Sequence, residues 1–278
     1  MPSTPPESAA TRPQAAARCR IEIDKLRKVF LAQDREVVAV DDASFRIHDG
    51  EFVALLGPSG CGKSTILNMV ATLIAPNGGD IRVDDAPVIP GRPIPQVGYV
   101  FQKDTLFPWR TVEGNIGYAL ELAGVPAAER RGRVDQAIHQ AGLDGFARFY
   151  PSSLSGGMRQ RVSLMRTLIA QPEILLMDEP FGALDTHTKL DMHSVLLDLW
   201  EHTRQTVLFV THDLGEALTL ADRIILMSAR PGRVKQDFKV DFARPRDAVA
   251  LRETPQYAAL FSRIWHSLGE EFAKGRSA

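Results

Sequence analysis

Residues 57–65, read GPSGCGKST, constrain the fold of this chain more than any other stretch. They match the pattern G-x-x-x-x-G-K-[ST], and they follow an apolar run at 52–56 with the composition of a strand buried in a parallel sheet. Glycines let such a loop curl so that successive N–H groups face an anion, and the helix behind it presents its positive end to the same charge. The stretch therefore predicts a strand, a phosphate-binding loop and a helix over 64–73.

The alternative interpretation is a Gly-rich turn that caps an ordinary helix, since the pattern arises by chance in about one chain of this length in a hundred. In a phosphate-binding loop, Lys63 reaches the β and γ phosphates of a nucleotide and the Ser64 hydroxyl ligates Mg²⁺. Cys61 is expected to be a small filler side chain rather than a redox group. The candidate phosphate-binding residues are Gly57, Pro58, Ser59, Gly60, Cys61, Gly62, Lys63, Ser64 and Thr65.

Two carboxylates follow a second apolar run, in the stretch ILLMDEP at 174–180. Asp178 can hold Mg²⁺ through its water shell, and Glu179 can act as the general base for a water that attacks the γ phosphate. A solvated acidic turn would look the same, but the phosphate loop upstream favours the catalytic interpretation. The sequence therefore predicts a nucleotide site at the carboxyl ends of these strands.

The remaining patterns indicate an α/β fold. Apolar runs at 207–210 and 224–227, separated by a helical stretch at 214–220, predict further strands of a doubly wound, mainly parallel sheet of the P-loop NTPase (RecA-like) type. The half-alternating, β-branched region 21–47 predicts an N-terminal antiparallel β subdomain. Strand signals stop over about 103–168, which predicts an inserted helical subdomain.

These patterns divide the chain into a flexible leader at 1–18, a main domain at 19–240 and a C-terminal helical extension at 241–278. The extension carries one apolar stripe at helical spacing after Thr254 and Pro255, which would pack on its own domain or on a partner. The net charge of −1 argues against a nucleic-acid partner. No apolar run reaches the roughly 18 to 20 residues that span a bilayer, and two cysteines fit a reducing compartment.

Residues 154–158, read LSGGM and followed by RQRV, resemble the signature sequence of the ATP-binding cassette (ABC) ATPases. The resemblance spans nearly all of 21–240, and a turn that merely caps the next helix, starting near Met158, is its structural alternative. It implies that 19–240 is an ABC ATPase domain whose cofactors are ATP and Mg²⁺. It also implies a head-to-tail dimer in which each ATP lies between the phosphate loop of one copy and the signature turn of the other.

The resemblance assigns roles to further residues at matching positions. Phe30 would stack on adenine, Gln102 would sense Mg²⁺ and the attacking water, and residues 183–185 would form the D-loop with Asp185 beside the nucleotide. His212 would be the switch histidine that acts with Glu179. The implied signature contacts are Ser155, Gly156 and Gly157, the implied catalytic residues are Glu179, His212 and Gln102, and the implied Mg²⁺ ligands are Ser64, Gln102 and Asp178.

Residues 104–116, and Met158 in the signature, are similar to the ATPases of nitrate, sulfonate and taurine importers. This similarity implies integral-membrane permease subunits that contact the chain near 102–109, and a solute-binding protein that acts indirectly. It places the chain on the cytoplasmic face of the inner membrane as a peripheral subunit. A local hydrophobic clasp is the alternative for 107–109. Thr72, where many relatives have Gly, and Lys189, where Arg is common, depart from the family pattern.

Two other functions remain open at this point. A soluble ABC-type ATPase of repair or translation would need no membrane partner, although the chain lacks a long coiled-coil insertion, zinc-binding cysteines and a second cassette. A P-loop kinase acting on a small molecule would share the phosphate loop, but it would have no use for the signature stretch.

Overall fold

The computed structural model describes residues 18–32, 35–182 and 184–276, so the predicted leader at 1–18 lies outside the described residues apart from Arg18. Within these ranges the strands are β1 (Cys19–Ala32), β2 (Arg35–His48), β3 (Phe52–Leu56), β4 (Gly78–Val83), β5 (Ala86–Pro87), β6 (Val97–Val100), β7 (Ile174–Asp178), β8 (Thr206–Thr211), β9 (Arg223–Met227) and β10 (Val234–Lys239). The helices are α1 (Lys63–Val70), α2 (Val112–Ile116), α3 (Tyr118–Leu122), α4 (Ala127–Gln140), α5 (Gly156–Leu168), α6 (Thr186–Thr203), α7 (Leu214–Leu220) and α8 (Pro255–Arg276), with 3₁₀ turns at Pro151–Ser153 and Ala250–Glu253.

The strand that precedes the phosphate loop, β3, lies inside a six-stranded sheet with the order β10-β9-β3-β8-β7-β6. It pairs in parallel with β8 and β9, and β7 pairs in parallel with β8 and β6, whereas β10 is antiparallel. Every residue of β3, β7 and β8 is buried, as expected for a parallel sheet covered on both faces. The predicted doubly wound, mainly parallel sheet is therefore confirmed.

Side chains of β3 alternate between two hydrophobic cores because successive residues of a strand point to opposite faces. Phe52, Ala54 and Leu56 belong to a core shared with helices α2, α4, α5, α6, α7 and α8. Val53 and Leu55 belong to a second core shared with α1 and the N-terminal strands. The phosphate loop thus leaves the sheet between two packed layers.

The N-terminal strands form a four-stranded antiparallel sheet with the order β2-β1-β4-β5, which confirms the antiparallel prediction for 21–47. Alternate residues such as Ile21, Ile23 and Ile47 are fully or almost fully buried against α1 and β3. β4 was not predicted because it begins with two glycines. β6 and β10 were not predicted either, because the first is short and the second is a polar edge strand.

Between β6 and β7 the chain forms helices α2 to α5, and α5 begins at Gly156, two residues ahead of the expected start. The C-terminal helix α8 begins at Pro255, and the Thr254 hydroxyl accepts from the Tyr257 N–H at 3.3 Å. Ile264 and Leu268 of its apolar stripe are buried in the first core, whereas Trp265 is 53% exposed. Along the described residues, no helix combines the length and the apolar character needed to cross a membrane.

Candidate active site

The phosphate loop runs from the end of β3 to the start of α1, and its glycines are required by its shape. Gly60 and Gly62 have φ of 75° and 101°, which favour glycine over other residues. A Cβ atom on Gly62 would lie 2.7 Å from the carbonyl oxygen of Ala39 in β2. The loop is therefore pressed against the antiparallel sheet with no space for a side chain at this position.

Lys63 is buried in the loop and bound to the loop's own backbone. Its Nζ donates to the carbonyl oxygens of Gly57 at 2.7 Å and Pro58 at 2.9 Å. Cys61 is also buried, and burial raises the pKa of its thiol although the nearby Lys63 opposes the rise. A buried thiol with a raised pKa is a weak nucleophile, in agreement with the expected role of Cys61 as a filler.

Ser64 and Asp178 meet where α1 begins and β7 ends. The Ser64 hydroxyl donates to Asp178 Oδ1 at 2.7 Å. Burial raises the pKa of Asp178, the Ser64 hydrogen bond opposes the rise, and the neighbouring Glu179 charge adds to it. A hydroxyl and a carboxylate oxygen side by side are the hard ligands that Mg²⁺ prefers, so this pair fits the predicted metal.

Glu179 is held in a strained backbone conformation directly after β7. Its φ is 45°, a region that residues other than glycine rarely adopt, and its N–H donates to the Val210 carbonyl at 2.9 Å. Its Oε2 accepts from Gln102 Nε2 at 3.2 Å and lies 3.0 Å from His212 Nδ1. Two residues that are far from Glu179 in the chain, Gln102 and His212, therefore converge on one of its carboxylate oxygens.

A buried hydrogen-bond network supports the residue next to His212. The Thr211 hydroxyl donates to Glu216 Oε2 at 2.6 Å and accepts from the Asp213 N–H at 3.0 Å. Lys189 Nζ in turn donates to Glu216 Oε1 at 3.0 Å. Burial raises the pKa of Glu216, while the hydrogen bond from Thr211 and the charge of Lys189 oppose the rise. Sequence reasoning missed Glu216; the one signal was an acidic residue placed inside the apolar helix α7.

The residues of the signature turn lie on the helical segment. Ser155 is the N-cap of α5, and its Oγ accepts from the Met158 N–H at 3.2 Å, so the capping alternative describes its structure correctly. A Cβ on Gly157 would lie 3.3 Å from Leu184 Cδ2, which places the turn beside the residues that precede α6. Gly156 opens α5 with its N–H at the positive end of the helix.

Asp185 and Phe30 are the two other residues that the resemblance assigns to the nucleotide site. Asp185 caps α6, where its Oδ1 accepts from the N–H groups of His187 and Thr188. These bonds lower its pKa, with the Thr188 N–H as the largest cause. Phe30, on β1, is 40% exposed, with Lys28 Nζ 5.2 Å from its ring centre. Residue 183 of the predicted D-loop lies outside the described residues.

The aromatic residues after Gln102 divide between two environments. Phe107 is half-buried, packs edge-on against Tyr118 at 4.7 Å and lies beneath the Arg166 guanidinium. Trp109 is 71% exposed, although its ring centre is 5.5 Å from that of Phe107. Phe107 therefore forms the local clasp, while Trp109 leaves most of its indole facing solvent.

Comparison with known proteins adds to this geometry. The family model described as ABC transporter matches residues 40–182. The chain is 48% identical over 231 residues to a putative ATP-binding protein of Brucella abortus, covering 83% of this chain and 88% of the relative. It is 43% identical over 249 residues to the taurine import ATP-binding protein TauB of Rhizobium johnstonii (88% and 94% covered). It is 41% identical over 226 residues to the aliphatic sulfonates import ATP-binding protein SsuB of Bacillus cereus (81% and 88% covered).

Among solved structures, the chain resembles an ATP-binding cassette in a dimeric, post-hydrolysis state bound to ADP and Pi. The TM-score is 0.72 at 31% sequence identity, and the match covers 80% of this chain and 100% of the other. The match therefore supports the α/β fold described above.

Proposed function

Because this chain belongs to the ABC transporter family, we propose that it is the ATP-hydrolysing nucleotide-binding subunit of an importer for taurine, an aliphatic sulfonate or a similar small solute. The observation that carries the ATPase assignment is the convergence of Gln102 and His212 on Glu179, next to the Ser64–Asp178 pair. The named import functions belong to the relatives and support the choice of solute.

Nucleotide binding rests on the phosphate loop and Phe30. Residues 57–65, apart from Pro58, supply backbone N–H donors, Lys63 exchanges its carbonyl partners for phosphate oxygens, and Phe30 offers an exposed ring for adenine. Bound Mg²⁺, held by Ser64, Asp178 and Gln102, would offset the negative charge that the phosphates carry. The deep position of Lys63, beside two carbonyls, fixes where the triphosphate can lie.

Hydrolysis follows from the position of Glu179. Its carboxylate accepts a proton from a water molecule, whose oxygen bonds to the γ phosphorus while the bond from that phosphorus to the β–γ bridging oxygen breaks. His212 and Gln102 both contact Oε2 of this carboxylate and so hold the base in one orientation. The products are ADP and phosphate.

The signature turn points to a second copy of the chain. Ser155 to Gly157 sit at the start of α5 on the helical segment, whereas the phosphate loop leaves the sheet beside the antiparallel strands. A head-to-tail dimer lets the turn of one copy complete the nucleotide site of the other, with Asp185 near the shared boundary. Loss of the γ phosphate would remove the bridge and open the dimer.

Transport requires partners, and the exposed Trp109 supports a contact with a permease helix near residues 102–109. With such a contact the subunit would lie on the cytoplasmic face of the inner membrane, and an external solute-binding protein would act through the permease. Because Gln102 touches the base Glu179, movement of this segment can be transmitted to the hydrolytic centre.

The decisive experiment uses Glu179→Gln. The amide keeps the size of the side chain but cannot take the proton, so kcat should fall by about 100-fold to 10,000-fold while ATP binding persists and an ATP-bound dimer accumulates. Normal turnover by this variant would remove Glu179 from the role of base.

The importer assignment is tested in proteoliposomes that contain the chain with the membrane subunits encoded next to its gene. Wild-type protein should drive ATP-dependent uptake of labelled taurine or methanesulfonate, and Glu179→Gln should not. If no membrane subunits are encoded nearby and the wild-type chain hydrolyses ATP at full rate without them, the soluble ABC-type ATPase becomes the better assignment.

A further inference from the structure

The hairpin of residues 228–233, which joins β9 to β10, packs directly against the phosphate loop. A Cβ on Gly232 would lie 1.9 Å from the carbonyl oxygen of Cys61, so this contact admits only glycine. Backbone hydrogen bonds of 3.0 Å tie Gly232 to Ala39 and Asp41 of β2 on its other side. The hairpin is therefore wedged between the antiparallel sheet and the loop.

Arg230 of this hairpin holds one peptide group of the phosphate loop. Its Nε and a terminal guanidinium nitrogen donate to the Gly60 carbonyl oxygen at 3.2 and 3.0 Å. In a trans peptide the carbonyl and the amide point in opposite directions, so the Cys61 N–H of the same peptide faces away from Arg230. It donates across the loop to the Pro58 carbonyl at 3.3 Å. Arg230 thus favours the peptide orientation in which the Cys61 N–H points into the phosphate loop, toward the Pro58 carbonyl.

Helix α8 supports the hairpin from behind through Glu271. This side chain is 1% exposed, and its Oε2 accepts from the Ala229 N–H at 3.0 Å. Its Oε1 lies 2.9 Å from Lys235 Nζ and 2.8 Å from Lys274 Nζ. Burial opposes ionisation of Glu271, but the hydrogen bonds from Lys274, Ala229 and Lys235 outweigh it and lower its pKa to about 2. The carboxylate is a fixed, charged anchor for the residue next to Arg230.

We propose that Arg230 and Glu271 are positioning residues, which hold the phosphate loop in the shape that receives the triphosphate of ATP. This inference rests on the proposed ATP-binding function of the loop. Glu271 fixes Ala229, Ala229 fixes the adjacent Arg230, and Arg230 fixes the Gly60 peptide. The connection reaches from the C-terminal helix to the nucleotide site, and neither side chain touches the reacting atoms.

The chemistry of the loop explains why such a support matters. A run of N–H groups binds an anion best when they are oriented before it arrives, because each peptide that must turn on binding reduces affinity. Gly60, with φ of 75°, is the most mobile kind of residue at the point where Arg230 acts. The Arg230 guanidinium, which places two donors on one carbonyl oxygen, is suited to hold the Gly60 peptide in one orientation.

The test compares Arg230→Ala with Arg233→Ala, using Mg-ATP as the probe. Arg233 lies on the same hairpin and is also exposed, but it pairs with Asp41 rather than with the loop. Arg230→Ala should raise the KM for ATP and the Kd for Mg-ATP by about fivefold, with kcat within about twofold of wild type. Arg233→Ala should leave both constants unchanged, and Arg230→Lys, which retains one donor, should fall between Arg230→Ala and wild type.

Glu271→Gln tests the second link, because it keeps the shape of the side chain and removes its charge. It should raise KM by a smaller factor, and the double variant with Arg230→Ala should raise KM no further than Arg230→Ala alone. Additive effects would show that Glu271 acts on the site by another route. Arg230 borders a cavity of about 700 Å³, so its truncation to alanine leaves no new void in the core. The melting temperature of the Arg230→Ala protein serves as the check that it folds.

Several outcomes overturn the proposal: an unchanged KM in Arg230→Ala, an equal rise in Arg233→Ala, or a fall in kcat and melting temperature with KM unchanged. Lys63→Ala separates this failure from failure of the proposed function. If Lys63→Ala loses ATP affinity and Arg230→Ala does not, only the positioning role is wrong. If Lys63→Ala binds ATP like wild type, the loop is not the nucleotide site.

Discussion

Replacing His193 with leucine should make the fold less sensitive to acid. His193 lies in α6 with 1% of its surface exposed, and its ring meets Phe181 edge-on at 4.8 Å. Burial lowers the pKa of its imidazole to about 4, helped by the positive charges of Arg252 and Lys189 and opposed by Asp213. In the folded protein this histidine is therefore neutral at a pH where the unfolded chain would carry a proton on it.

The effect of His193 on the free energy of unfolding depends on pH, because proton binding to its imidazole is coupled to unfolding. The unfolded imidazole protonates near pH 6.5 and the folded one near pH 4, so the unfolded state binds more protons between these values. Stability is therefore lost as the pH falls through this window. At 1.36 kcal/mol per pKa unit, the loss from His193 is close to zero at about pH 7.5 and roughly 2 to 3 kcal/mol at about pH 4.5. Leucine has a similar volume and binds no proton, so His193→Leu removes this part of the loss of stability at low pH.

The assay is urea unfolding of wild type and His193→Leu at a series of pH values, followed by tryptophan fluorescence. The difference in unfolding free energy between the two proteins isolates the histidine from the carboxylates that titrate in the same range. His187→Leu is the matched control, because its imidazole is exposed and water solvates it in both states. A difference between wild type and His193→Leu that stays constant across the series would refute the reasoning.

Two further outcomes test the proposed partners. Ser155→Arg should abolish ATP-dependent dimerisation in sedimentation while ATP affinity stays within about twofold, because a bulky cation would occupy the closing interface. Ser155→Ala, which removes the capping hydroxyl but adds no bulk or charge, is its control, and undiminished dimerisation of Ser155→Arg would count against the sandwich. Trp109→Ala should weaken co-purification with the membrane subunits by about 30-fold and leave ATPase activity unchanged. Leu122→Ala, equally exposed, is the control for that variant, and assembly at full strength would exclude Trp109 from the contact.

Local sequence patterns predicted the strands and helices whose bounds are set by residues close to them in the chain. The run at 52–56 forms β3 with the predicted bounds because it is apolar throughout and the loop glycines end it. Helix α7 also has its predicted bounds, since Asp213 caps it by accepting from the Gly215 and Glu216 N–H groups. The convergence of Asp178 and Ser64 followed from the rule that parallel strands end at one edge.

Contacts between distant parts of the chain could not be predicted in this way. Arg230 and Gly60 are 170 positions apart, and only the pairing of β9 with β3 brings the hairpin to the loop. The polar edge strand β10 has the composition of a surface segment, and its pairing partner decides its structure. Thr72 departs from the glycine that the resemblance implies at this position, and its φ of 66° is a conformation that glycine adopts more easily.

The two carbonyls that hold Lys63 compete with a nucleotide's phosphates for its ammonium group. A nucleotide that arrives must displace Gly57 and Pro58 from Lys63, so its measured affinity is the difference between two sets of hydrogen bonds rather than the strength of one. The same exchange works in reverse when phosphate leaves, because the lysine has partners ready within 3 Å. A site built on such an exchange can release its product without ever leaving a buried charge unpaired.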